Sequence, residues 1–185
     1  IAGFDSGRLV ALRLANGLPV WERRIAMARG RSELERLVDI DADPIVRDGV
    51  VYAVSFQGRV MALDLTTGDT IWQRDMSSHS GMGIGPNNVY VTDERSHVWA
   101  LDRSNSGSLW RQQNLQGRNL TAPGVLSSVV VMADFEGYVH WLSVDDGRIM
   151  ARTRVGAGVI APPVVVDDQV YILDQDGEIT AYRAG

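Results

Sequence analysis

With 185 residues, 45% of them hydrophobic and 22% charged, the chain has ordinary globular composition, and its length suits one domain or two small ones. Twenty-three acidic against 18 basic side chains leave a formal charge of −5, which argues against general nucleic-acid binding; the basic residues are all arginine, scattered singly rather than in a phosphate-reading patch. The absence of cysteine excludes a disulfide framework, cysteine-ligated zinc or iron–sulfur clusters, and thiol catalysis. No apolar run approaches the roughly 18–20 residues needed to span a bilayer.

The chain opens on Ile1-Ala-Gly-Phe-Asp5, which has neither a basic leader nor a small-residue cleavage site and reads like the middle of a strand-and-turn pattern. A chain cut from a longer protein is the expectation. One motif then recurs along it: Asp5 to Trp21, Phe56 to Trp72, Arg95 to Trp110, Glu136 to Met150, and Asp176 to Tyr182. The turn glycines Gly17, Gly68, Gly107 and Gly147 are 51, 39 and 40 residues apart, a period near 40 with one insertion.

Each copy has antiparallel grammar. In the second, Val50 to Val54 meets a turn at Gln57-Gly58, alternation follows over Val60 to Leu63, then a turn at Thr67-Gly68-Asp69, then Ile71-Trp72. Glycine supplies the positive φ of a tight hairpin, and β-branched residues suit the pleat. A further strand opened by proline precedes later copies, at Pro44, Pro123 and Pro162-Pro163. Four short strands per copy describe an all-β chain of β-propeller blades. The copies run over about 1–25, 43–75, 84–112, 121–152 and 161–185, with an inserted loop over 26–42. Trp21, Trp72 and Trp110 recur at one position, with Met150 in the fourth copy, and read as wedges between blades rather than a stacking surface for a ligand.

Ala62-Leu63-Asp64, Gly68 and Trp72 together resemble the repeat of pyrroloquinoline-quinone-type propellers. Two stretches, Gly30 to Pro44 and Phe135 to Gly147, are similar to the BamB family of outer-membrane protein assembly factors. The similarity covers essentially the whole chain, against the C-terminal half of that family's propeller. It implies about 4–4.5 blades of an eight-bladed ring and a non-catalytic scaffold subunit of the bacterial outer-membrane β-barrel assembly machine. It also implies a lipoprotein on the periplasmic face of the outer membrane, docked onto the POTRA domains of BamA. The docking surface of the family includes the two acids of an Arg-Leu-x-Asp-x-Asp stretch, here Asp39 and Asp41. The lipid-bearing cysteine and a second docking element have no counterpart here, so this fragment is expected to be soluble and unanchored. Edge pairing would also permit the family to grip unfolded outer-membrane protein strands, a further partner that the resemblance allows.

The insertion has chemistry of its own. Ser32-Glu33-Leu34-Glu35 fits a capping box, which predicts a helical turn through Arg36 and Leu37. Asp39, Asp41 and Asp43 then alternate into Pro44, which places three carboxylates on one side of an extended segment. A calcium loop would want glycine and glutamate where Pro44 and Val50 stand. A solvated surface loop is the plain alternative. The candidate partner-binding residues are Asp39, Asp41, Arg36 and Leu37, accepting and shaping contact with a basic partner.

Catalytic constellations are missing. His79, His97 and His140 share no ligand spacing, and the latter two read as structural residues inside strands. There is no nucleophile elbow, phosphate loop or H-E-x-x-H helix. Ser77 to Gly85 reads as a flexible glycine-rich stretch without a following helix, hence no phosphate cradle. No cofactor, metal or nucleic-acid partner is expected. A fragment of a quinone-dependent dehydrogenase and a generic protein-interaction propeller are the alternatives.

Overall fold

The computed structural model describes residues 1–4, 6–25, 40, 42–56 and 58–183. Every regular element among them is a β-strand, and the chain divides into two compact units, residues 1–79 with 104–106, and residues 80–103 with 107–185. Each is built from propeller blades.

The first unit holds a three-stranded sheet of β1 (Ala2–Gly3), β2 (Arg8–Leu12) and β3 (Pro19–Arg24). A four-stranded sheet follows, of β4 (Ile45–Arg47), β5 (Val50–Val54), β6 (Arg59–Asp64) and β7 (Thr70–Asp75). Alternation gives β2 and β6 inward faces that meet in one core of Leu9, Ala11, Trp21, Val51, Ala53, Met61 and Leu63. The second unit begins with β8 (Met82–Ile84), β9 (Asn88–Thr92), β10 (Val98–Asp102) and β11 (Ser108–Gln112). Its next sheet is β12 (Gly124–Leu126), β13 (Val129–Ala133), β14 (Tyr138–Ser143) and β15 (Ile149–Arg154), and its last is β16 (Val164–Val166), β17 (Gln169–Leu173) and β18 (Ile179–Arg183). One core, with Tyr90, Leu120, Met132 and Leu142, joins the first two of these sheets. A second, with Val131, Val139, Val170 and Ile172, joins the last two. All pairings are antiparallel neighbours in sequence, so each sheet is a meander.

The same irregularity marks the outer strand of four sheets. Register slips between Ala11 and Leu12, Ala62 and Leu63, Ala100 and Leu101, and Trp141 and Leu142. The extra residue is Val20, Ile71, Leu109 or Met150, and each side chain is about half exposed. A bulge at the same place in these four outer strands twists an edge that would otherwise offer a flat row of free amides.

This register revises several details read from the letters. Ala151 pairs with Trp141 as Trp21, Trp72 and Trp110 pair with Ala11, Ala62 and Ala100. Ala151, not Met150, is therefore the fourth counterpart of the tryptophans. In the third copy the left-handed turn position belongs to Ser106 (φ 62°), where the other copies have Gly17, Gly68 and Gly147 at 69–72°. Gly107 stands one residue later. The prolines lie just before β4, β12 and β16 rather than inside them, and His97 lies just before β10.

The stretch Ser77 to Gly85 is not a loose loop. It contains β8, and Gly81 to Gly85 are all buried. A Cβ on Gly83 would fall 2.3 Å from the carbonyl oxygen of Pro123. Glycine is there because β8 and β12 run side by side at backbone distance.

Candidate functional site

The predicted site residues Arg36, Leu37, Asp39 and Asp41 lie outside the described residues, as does the predicted helical turn around them. Both flanks of the insertion are described. Ile25 is 1% exposed and Ile40 is 8% exposed, and both belong to the core of the first unit. Ile40 packs so closely on Gly3 that a Cβ there would meet its Cγ2 at 2.7 Å. The insertion thus leaves the sheet at one buried isoleucine and returns at another, Ile40, which stands between Asp39 and Asp41 in sequence. Asp43, the last of the alternating acids, is exposed.

A second feature recurs at the turn between the second and third strands of a blade. Asp93, Asp134 and Asp174 each accept two backbone N–H bonds through Oδ1, from residues two and four positions on, at 2.9–3.0 Å. One carboxylate oxygen so closes the turn, leaving the other free for a side chain. The indole N–H of Trp99 donates to Asp93 Oδ2 at 2.9 Å, and His97 Nδ1 reaches the same oxygen at 3.0 Å. At the equivalent place His140 Nε2 donates to Asp134 Oδ2 at 2.7 Å, joined by the guanidinium of Arg118.

Asp134 and His140 are fully buried. Burial alone would raise the Asp134 pKa, but hydrogen bonds from His140, the Tyr138 amide and Arg118 outweigh it and hold the carboxyl at about 2. With Nε2 committed to Asp134, Nδ1 of His140 is a buried atom without a hydrogen-bond partner. Arg118 closes the cluster by pairing also with Glu136 at 2.9 Å. Its geometry is that of a turn lock. Among the described residues, no group of three or more His, Asp or Glu side chains is placed to hold a metal ion. Among the described residues, no helix is long and apolar enough to cross a membrane.

Sequence reasoning missed this lock, although an aspartate opening the same turn in three successive copies is a signal for it. It also missed the gathering of arginines around Tyr138, because the arginines look isolated until strand register is known.

The sequence profile of the family described as outer membrane protein assembly factor BamB matches residues 1–112 and 107–185. The chain belongs to the BamB family. It is 45% identical over 184 residues to the outer membrane protein assembly factor BamB of Alkalilimnicola ehrlichii, covering 99% of this chain and 48% of that protein. The BamB of Pseudomonas aeruginosa is likewise 45% identical, over 98% of this chain and 48% of the relative. The crystal structure of BamB from Moraxella catarrhalis superposes with a TM-score of 0.92 at 31% identity, covering 98% of this chain and 54% of that one. The chain therefore spans about half the length of the BamB relatives it matches. Those relatives are named as outer-membrane assembly factors, which fits an all-β propeller chain.

Proposed function

We propose that this chain is part of a non-catalytic scaffold subunit of the bacterial outer-membrane β-barrel assembly machine, at the periplasmic face of the outer membrane. The insertion over 26–42 is its docking loop for the periplasmic POTRA domains of BamA, with Asp39 and Asp41 accepting charge-assisted hydrogen bonds and Arg36 and Leu37 completing the patch. The observation that carries this reading is the anchoring of the insertion by Ile25 and Ile40 in the core of a chain that matches the BamB family over its whole length.

The test is binding of the whole protein to a POTRA fragment of BamA. Asp39→Ala/Asp41→Ala should weaken it by roughly 2–5 kcal/mol if the pairs are desolvated. Unchanged affinity would exclude the loop as the docking element.

A further inference from the structure

Three guanidiniums gather on one ring. Arg152, Arg118 and Arg154 stand 4.6, 5.3 and 5.6 Å from the centroid of Tyr138. Strand register accounts for two of them: Tyr138 pairs with Arg154, and His140 with Arg152, so both arginines rise from β15 on the face that carries Tyr138. Arg118 comes from the connection before β12 and is neutralised by Asp134 and Glu136. Among the described residues no carboxylate pairs with Arg152 or Arg154.

Other blades show what the repeat does at these two positions. Register places Glu22 and Arg24 there in the first sheet, and Gln73 and Asp75 in the second. An arginine on the neighbouring strand answers Glu22, Gln73 and Asp75. Arg8 donates to Glu22 at 3.2 Å, and Arg59 donates to Gln73 at 2.8 Å and faces Asp75 at 3.8 Å. In the β12–β15 sheet the ring of Tyr138 stands where Arg8 and Arg59 stand, and arginines occupy both positions, whereas the first sheet has an arginine at only one of them, Arg24, and the β8–β11 sheet has Arg111, over the Trp99 ring, at the other. A cation–π contact orients a guanidinium without cancelling its charge. In a chain of net charge −5, Arg152 and Arg154 are thus two positive charges that lack a carboxylate partner among the described residues, on the outer strand of one blade.

We propose that Arg152, Arg154 and Tyr138 form a docking site for an acidic segment of a partner protein, with carboxylates received by the two guanidinium forks. The fork matches a carboxylate in two parallel hydrogen bonds, and its pre-set orientation over the ring reduces the freedom lost on binding. Phe135, in the adjoining turn, strengthens the assignment. Its side chain is 54% exposed, yet its carbonyl is packed so tightly that a Cβ on Gly158 would approach it to 2.2 Å. A rigidly held exposed aromatic beside arginine and tyrosine is the composition of a protein interface. A phosphate-rich lipid surface fits less well. Glu136 is 64% exposed beside Arg118, and lipid-binding segments carry roughly four to eight clustered basic residues.

This site is independent of the insertion over 26–42, so failure of either assignment leaves the other standing. The experiment is fluorescence anisotropy of a labelled hexaglutamate peptide with the whole protein at low salt, beside an Arg152→Gln/Arg154→Gln variant and an Arg13→Gln control. Binding that weakens about tenfold or more in the double variant, and with added salt, is the expected result. The control should match the parent, and all three proteins should melt alike. Absence of peptide binding by the parent, or equal binding by the double variant, overturns the proposal. So does binding to phosphatidylglycerol–phosphatidylcholine vesicles, or to inorganic phosphate, that the double substitution abolishes while peptide binding survives.

Discussion

The indole of Trp110 occupies the space that a side chain on Gly147 would need: a Cβ there would fall 2.4 Å from the ring. The same ring donates its N–H to the carbonyl of Val144 at 2.8 Å, so it is fixed over the turn of the neighbouring blade by packing and by a hydrogen bond. Trp21 repeats both contacts two blades earlier, with Gly68 at 2.6 Å and the carbonyl of Leu65 at 2.9 Å. The wedge reading of the tryptophans is thereby given a mechanism. Both rings seal their joints by covering a turn whose glycine combines a positive φ with the absence of a side chain.

Two kinds of glycine follow from this, and substitution separates them. Gly49 also has positive φ (76°) but open space around it, whereas Gly68 and Gly147 have a ring. Gly49→Ala should cost about 1–2 kcal/mol, the strain of a left-handed alanine. Gly147→Ala and Gly68→Ala should cost about 3 kcal/mol or more, since the ring must also move out of a packed joint. Urea unfolding of the three variants measures the difference, and equal losses would show that the rings relax freely.

At Gly83 the constraint is different again. Its φ is ordinary, and only the Pro123 carbonyl, 2.3 Å from where a methyl group would sit, forbids a side chain. Gly83→Ala should therefore destabilise by about 3 kcal/mol or more, because backbone rather than a flexible side chain must yield. Gly85→Ala meets the edge of the Tyr90 ring at 3.2 Å and should cost about 1 kcal/mol. Thermal melts of the pair test whether β8 and β12 are as closely held as their geometry requires.

What can be read from the letters follows from what fixes each feature. Turn chemistry is local, so the four-strand grammar and the propeller class are visible in runs such as Val50 to Gly68. Cross-strand register is not local. A serine can take the left-handed turn position, as Ser106 and Ser96 do at φ 62° and 64°, and the copy then appears to be spelled one residue out of step. Met150 looks like the fourth wedge because the outer-strand bulge hides that Ala151 is the residue in the pair. The insertion over 26–42 is legible as a departure from the repeat, whereas its anchor, Ile40, is hidden between two aspartates. Arg152 and Arg154 become a site only once β15 is placed against Tyr138.

The turn lock at Asp134 predicts acid sensitivity. Its carboxyl titrates at about 2 in the folded chain against an ordinary 3.8, so folding favours the ionised form. The resulting stabilisation, about 2 kcal/mol, is fully present above pH 4 and is lost as the pH falls from about 4 to 2. Asp134→Asn should remove that dependence and cost about 3 kcal/mol at neutral pH, since His140 and Arg118 would face a neutral partner in a buried site. Stability against pH from 2 to 7, for parent and variant, gives the measurement. Parallel curves would mean that other carboxylates control the acid limb.

The joint between the last two sheets carries a different arrangement of the same parts. In the sheets of β2, β6 and β10 an alanine on the third strand of the repeat faces a tryptophan on the fourth, whereas β14 presents Trp141 and β15 presents Ala151. The ring still reaches forward: Trp141 meets Tyr182 edge-on with centroids 5.4 Å apart, and both pack against the core of Val139, Val170 and Ile172. Cross-strand neighbours share a face, so exchanging the two residues keeps a ring over the same joint. Trp141→Ala should cost about 3 kcal/mol as a large, partly buried ring is deleted. The exchange variant Trp141→Ala/Ala151→Trp should recover part of that loss, because it restores the arrangement used at the earlier joints, though the edge contact with Tyr182 would have to re-form from the other strand. Chemical denaturation of parent, single and exchange variants resolves the two contributions. Recovery would locate the stabilisation in the presence of a ring at the joint, and no recovery would locate it in the particular contact between Trp141 and Tyr182.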